Sequence, residues 1–169
     1  MNTSRTPEER ARELLRNNWT GDLPVDPLQI AKNLNIEIRY TTKVDSDIAG
    51  VISRENAQEP VVITLNAHDG LQRQRFTVAH ELGHYTKLRD EGKLEDRLGF
   101  VERRDELSSR GNDPVEIDAN RFAAELLMPA SVARYWSSMG MSAEAMRRNF
   151  NVSGAALDNR LKNLRISDD

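Results

Sequence analysis

The period of the hydrophobic positions changes twice along the chain, and the changes mark its elements. Ala11, Leu14 and Leu15 fall on one side of a helix begun by Thr6-Pro7-Glu8-Glu9, with a hydroxyl N-cap, proline at the first helical position and acids in the first turn. This helix should fade near Asn17-Asn18. After the Pro-rich turn GDLPVDP, Leu28, Ile30, Ala31 and Leu34 mark a short helix from Pro27 to Leu34. The period then drops to that of strands. IEIRY (36–40), IAGVIS (48–53) and VVITLN (61–66) are short, β-branched and separated by polar loops, which predicts an antiparallel three-stranded sheet.

Helical spacing returns near Asp69 and runs to about Lys87 or Leu88. Arg89 to Asn112 is highly charged and broken by Gly92, Gly99 and Gly111, so it reads as mostly loop, with at most a short helical turn. Asp113-Pro114 starts the next helix, DPVEIDANRFAAELLM, which Pro129 stops. A helix over 130–139 follows, then a helix-turn-helix-like pair, SAEAMRRNF and SGAALDNRLKNL, parted at Asn151-Val152. Runs of one element type rather than strict alternation indicate an α+β fold. Its parts are a small three-stranded antiparallel sheet packed on a helical core, with C-terminal helices. The expected division is a main domain over residues 1–130 and a helical extension over 131–169 packed on it.

Composition narrows the function classes. A chain of 169 residues fits one compact domain with a small appendage. It has no cysteine, which rules out disulfides, thiolate metal sites and a cysteine nucleophile, and suits a cytoplasmic location. MNTSRTPEERARELL lacks an apolar core of signal-peptide length, and no run of about 18 apolar residues occurs, so a soluble, unexported protein without a membrane partner is expected. The net charge of -3 comes from 24 basic and 27 acidic residues mixed along the chain. No polybasic face results, and direct contact with nucleic acid is not expected.

The chemistry concentrates in FTVAHELGHYTK, residues 76–87. Residues four apart on a helix project from one face, so His80 and His84 can pinch one ion. Glu81 lies beside them. Two neutral nitrogen ligands, plus a carboxylate that takes a proton from water without ligating the metal, are what zinc hydrolysis needs. Val78, Leu82 and Tyr85 fall roughly 140–200° from His80 at about 100° per residue. The core face is thus assigned, and the histidines are expected to look towards a cleft.

A catalytic zinc usually takes three protein ligands. His68, the remaining histidine, stands in NAHDG and reads as an exposed loop residue. On the following helix, Asn120, Ala123 and Leu127 lie within roughly 40° of Glu116, and Ala119 about 60° away. Asp118 and Glu125 fall on the far side and read as solvated. Ala119 and Ala123 would let this helix approach another closely and carry Glu116 to the metal. Asn120 is placed to hydrogen-bond a ligand histidine and fix its tautomer. A second reading of Glu116 stays open, because Asp113-Pro114-Val115-Glu116 has capping-box spacing. Ligation is preferred, since two histidines alone make a poor catalytic zinc site.

RQRFTVAHELGHY (73–85), EIDANRFAAELLMP (116–129) and LPVDPLQIAKNLNIEI followed by AGVI and VVITLN together resemble the ImmA/IrrE family of metallopeptidases. The likeness covers roughly residues 8–130. HELGH alone indicates only a zincin; the pattern E-x-x-A-N-x-F-A-x-x-L-L-M-P after it is more specific. The resemblance implies a gluzincin-like site on a zincin-like core, with His80, His84 and Glu116 as metal ligands and Glu81 as general base. It implies zinc, though manganese can occupy similar sites. It also implies a protein substrate: a helix-turn-helix repressor of the Xre type, acting in a stress response or mobile element and commonly encoded beside the peptidase.

An extended substrate could add to an edge strand, and IAGVIS is the candidate, with Ala49 and Gly50 permitting close approach. An ordinary paired strand fits it equally. Tyr85, Arg73 and His68 are candidate oxyanion donors. In FNVSGAALDNRLKNL, Ser153 should cap a helix whose Ala156, Leu157, Leu161 and Leu164 face inward. Arg160 and Lys162 could meet phosphate there, but two helices completing the core are favoured. Two rival classes remain: a DNA-binding regulator with a structural metal site, and a non-cleaving repressor-partner or toxin–antitoxin module.

Overall fold

Helix α1 (Pro7–Asn18) begins where its cap chemistry places it. The computed structural model describes residues 5–43, 50–56, 58–94 and 113–167. The Thr6 amide donates to Glu9 Oε2 at 2.8 Å and the Glu9 amide donates to Thr6 Oγ1 at 3.2 Å, a reciprocal capping box. Helix α2 (Pro27–Asn33) starts from the Asp26 carboxylate, which accepts from the Leu28 and Gln29 amides. Ala11, Leu14, Leu15, Ile30 and Ala31 are buried, the inward faces that their spacing predicts.

Strands β1 (Glu37–Thr41), β2 (Gly50–Ser53) and β3 (Val62–Asn66) form one sheet in the order β1-β3-β2. β2 pairs antiparallel with β3, Gly50 opposite Leu65. β1 pairs parallel with β3, Glu37 opposite Val62. The sheet is therefore mixed, not antiparallel as expected. The reason lies in which strand is most apolar. Ile63 and Leu65 are fully buried, so β3 takes the centre, and β1 and β2, consecutive in sequence, flank it. A return from β2 to β3 then brings β3 back to the direction of β1. Residues 48–49 of the expected strand lie outside the described residues.

Helices α3 (Leu71–Asp90), α4 (Pro114–Leu127), α5 (Ala130–Ser138), α6 (Ala143–Phe150) and α7 (Gly154–Leu164) follow. α3 runs slightly past its expected end, and residues 95–112 of the charged connector lie outside the described residues. The Ser142 and Ser153 hydroxyls accept from the Ala145 and Ala156 amides, capping α6 and α7. Between them Asn151 adopts φ 54°, a left-handed conformation that asparagine tolerates. Phe122 and Leu126 of α4 share one buried cluster with Met146, Phe150, Leu157 and Leu161. The last helices thus pack into the core of an α+β fold.

Candidate metal centre

The middle of α3 is buried on every side. Val78 and Leu82 face the core as expected. His80, Glu81 and His84 are also buried, at 1–3% exposure, because α4 covers the histidine face rather than leaving it open to a cleft. The two helices meet at Gly83. A β-carbon built on Gly83 would lie 3.1 Å from Ala119 Cα and 3.2 Å from Phe122 Cβ, inside the about 3.5–4.0 Å at which carbons pack well. Hydrogen at this position lets the backbones close up. Ala119, one of the two alanines expected to permit a close approach, stands at this contact.

That approach carries Glu116 to the histidines. Its Oε2 is 3.2 Å from His80 Nε2 and its Oε1 is 3.2 Å from His84 Nε2. The two Nε2 atoms are 2.9 Å apart. With metal–ligand bonds of about 2.0–2.1 Å, a tetrahedral zinc site separates its ligand atoms by about 3.3 Å. One carboxylate and two imidazoles at this spacing are a donor set that fits zinc with little rearrangement. Glu116 turns its carboxylate to the imidazoles, while Asp113 caps α4 by accepting from the Val115 amide at 2.8 Å. His68 stands in an exposed turn before α3, outside this cluster.

Electrostatics and hydrogen bonding orient the set. His80 Nδ1 is 2.8 Å from Asn120 Oδ1. An amide oxygen only accepts, so the ring proton belongs on Nδ1 and the Nε2 lone pair points at the Glu116 side. Burial acts to raise the Glu116 carboxyl pKa, but when both imidazoles are protonated, hydrogen bonds and charge from His80 and His84 outweigh it and hold the group well below the usual carboxylate range. A buried, ionised carboxylate between two imidazoles is a site built for a cation.

The remaining expected residues fall as follows. A β-carbon on Gly50 would collide with Thr77 Cγ2, so β2 does approach α3 closely, about one turn before His80; Ala49 lies outside the described residues. Arg73 pairs with Asp69 at 3.3 Å. Tyr85 is half-buried, with the Arg89 guanidinium 5.9 Å from its ring centre.

Two acids expected to be solvated are not. Asp118 bonds the buried Arg10 and lies 3.7 Å from Lys87. Glu125 is buried, paired with Arg160 and, at 3.2 Å, with Arg12. The far side of α4 is packed against α1 and α7, and arginines from those helices neutralise it. Nothing in the sequence singles out Arg10, or marks Arg160 as a partner of α4, among 24 basic residues. Arg160, a candidate phosphate contact, is buried and donates from Nε to the Met128 carbonyl at 2.9 Å. Lys162 is exposed.

Residues 31–162 match the peptidase M78 family, the IrrE N-terminal-like domain. The chain belongs to this family. The match agrees with the ImmA/IrrE resemblance carried by HELGH and the α4 pattern. Among solved structures, the chain is similar to a Mycobacterium tuberculosis transcriptional regulator, with a TM-score of 0.62 and 16% identity. The likeness covers 92% of this chain and 46% of that one. It is a likeness of fold, and this chain spans less than half of that protein. No curated protein matches the chain. The M78 family is one of metallopeptidases, and His80, His84 and Glu116 could hold its metal. Among the described residues no helix is long and apolar enough to cross a membrane.

Proposed function

We propose that this M78 chain is a zinc endopeptidase in which His80, His84 and Glu116 hold the ion and Glu81 is the general base. The observation that carries this reading is the convergence of both Nε2 atoms and the Glu116 carboxylate, with Glu81 buried on the same helix turn. Zinc, when bound, polarises a carbonyl and brings water within reach of deprotonation near neutral pH. Glu81 takes that proton and returns it to the leaving amine. Asn120 keeps His80 in the tautomer whose Nε2 can ligate. Manganese accepts the same nitrogen and oxygen donors.

The sheet supplies a track for the substrate. β2 lies at an edge of the order β1-β3-β2, and Gly50 brings it against Thr77. An extended chain pairing with β2 would pass over α3 beside the histidines, held by main-chain hydrogen bonds. The substrate proposed is a helix-turn-helix repressor of the Xre type in a stress response or mobile element, met in the cytoplasm. The family supports this, and a fold neighbour is itself named a transcriptional regulator.

The deciding experiment incubates metal-loaded wild type and Glu81→Gln with a repressor encoded beside the gene. Wild type should cut it, and Glu81→Gln should keep the metal and cut nothing. Cleavage by Glu81→Gln would remove Glu81 from its role. Tight binding without cleavage by wild type would favour a non-cleaving repressor partner.

A further inference from the structure

Beside the metal centre, α3, α4 and α7 enclose an open groove of about 1090 Å³. That volume lies just above the about 300–1,000 Å³ of small-ligand pockets. Its lining includes Asn120, the residue bonded to His80. Phe76, Ile117 and Ala156 supply apolar wall, one from each helix. Leu71 and Ile117 are 75% and 42% exposed on its sides. Large apolar side chains left in a concave surface mark a place where another molecule packs.

The charge of the lining is one-sided. Among the described residues it contains Arg73, Arg121 and Arg160 and no acid. Arg160 is buried against Glu125, but the Arg73 and Arg121 side chains are 57% and 56% exposed. Their carboxylate partners, Asp69 and Glu8, lie outside the lining. In each pair the carboxylate is the more buried partner, at 12% and 19% exposure, and the open side of either guanidinium can meet an incoming carboxylate. The exposed Asn159 and Asn163 of α7 add amides that can meet a peptide backbone.

We propose that this groove binds the substrate polypeptide on one side of the scissile bond and selects a stretch bearing apolar and acidic side chains. The proposal rests on the peptidase reading of the metal centre and gives the C-terminal helices a role, with α7 as a wall of the substrate site.

The test measures binding without cleavage, in the metal-loaded full chain carrying Glu81→Gln. Fluorescence anisotropy compares labelled short peptides of leucine and glutamate, leucine and lysine, and serine and glutamate. The leucine–glutamate peptide should bind about tenfold tighter than either other. Asn159→Trp, which blocks the groove from an exposed position, should weaken it about as much, and Asn163→Trp serves as a second block. Arg73→Glu with Arg121→Glu should reverse the preference towards lysine. Equal binding of the three peptides, or unchanged affinity in both blocked variants, would overturn the proposal. If the binding pattern holds but wild type cuts no protein, the groove stands and the peptidase reading fails. If wild type cuts but shows no pattern, the groove fails alone.

Discussion

Gly83 stands so close to Ala119 that a β-carbon on it would lie 3.1 Å from the Ala119 Cα. This contact sets the geometry of the whole centre. Glu116 lies three residues before Ala119 on α4, and its carboxylate bridges two imidazoles one turn apart on α3, at 3.2 Å from each. Were the helices a normal side-chain layer apart, at 8–10 Å or more between axes, the same glutamate would fall short.

Gly83→Ala should therefore loosen the metal site. Alanine improves helix propensity by about 1 kcal/mol, but overpacking typically costs about 1–3 kcal/mol. The obstacle here is backbone, Ala119 Cα, which cannot rotate away, so overpacking should win. Thermal melts should show a lower midpoint and chelator competition a weaker metal affinity, with Gly83→Val worse on both. A Gly83→Ala protein as stable and as metal-avid as wild type would show that the helices tolerate a wider spacing.

Glu116 and Asn120 should separate into two classes of effect. Glu116→Ala removes a ligand, and purified protein should lose its metal almost entirely. Asn120→Ala leaves the ligands in place but frees the His80 ring, and a loss of this kind typically weakens metal affinity by about 10–100-fold. Asn120→Asp keeps an acceptor on Nδ1 and should recover most of it. Metal content by mass spectrometry, with chelator titration for the weaker cases, reads all three. Unchanged metal in Glu116→Ala would return that residue to a capping role.

HELGH gave His80, Glu81 and His84 directly, because spacing on one helix is a local property. Glu116 and Asn120 were legible one step further, through the projection of α4, since Ala119 and Ala123 announce a close approach. What the chain hid was pairing across distance. The parallel register of β1 on β3 depends on which strand takes the centre, and no single strand's pattern states that. Asp118 and Glu125 looked solvated because an isolated helix projection has no knowledge of Arg10 or Arg160 arriving from α1 and α7. The groove, too, exists only once three helices are assembled.

Metal release should precede acid unfolding. Both imidazoles must be neutral to ligate, so protons compete with the metal for them as the pH falls. Glu116 is different. Its folded pKa is depressed, so its contribution to stability is fully present above its unfolded value of about 4.3 and is lost only as pH falls through the lower, folded value. Above about pH 4.3, then, proton binding at the histidines and not at Glu116 should govern metal loss. Zinc release followed by a colorimetric chelator, alongside circular dichroism, should show metal leaving from a protein that stays folded. Coincident transitions would mean that the metal holds the fold together.

The last prediction concerns Arg160, where a DNA-binding role and a packing role diverge. Its guanidinium bonds Glu125, and its Nε donates to the Met128 carbonyl at 2.9 Å, all in the buried seam between α4 and α7. Arg160→Ala would leave a buried carboxylate with only Arg12, whose side chain is 56% exposed, and a carbonyl without its donor. Breaking a buried pair in this way costs about 3–5 kcal/mol. Replacing both members, as Arg160→Met with Glu125→Leu, removes the orphaned charge and should recover most of the loss. Denaturant unfolding of the two singles and the double gives the coupling directly. A phosphate contact would behave in the opposite way, with Arg160→Ala unfolding like wild type and the deficit confined to salt-sensitive DNA binding. A large, mutually rescued loss of stability would identify Arg160 as the clamp that seats α7 against the metal-bearing helices, and with it the wall of the groove.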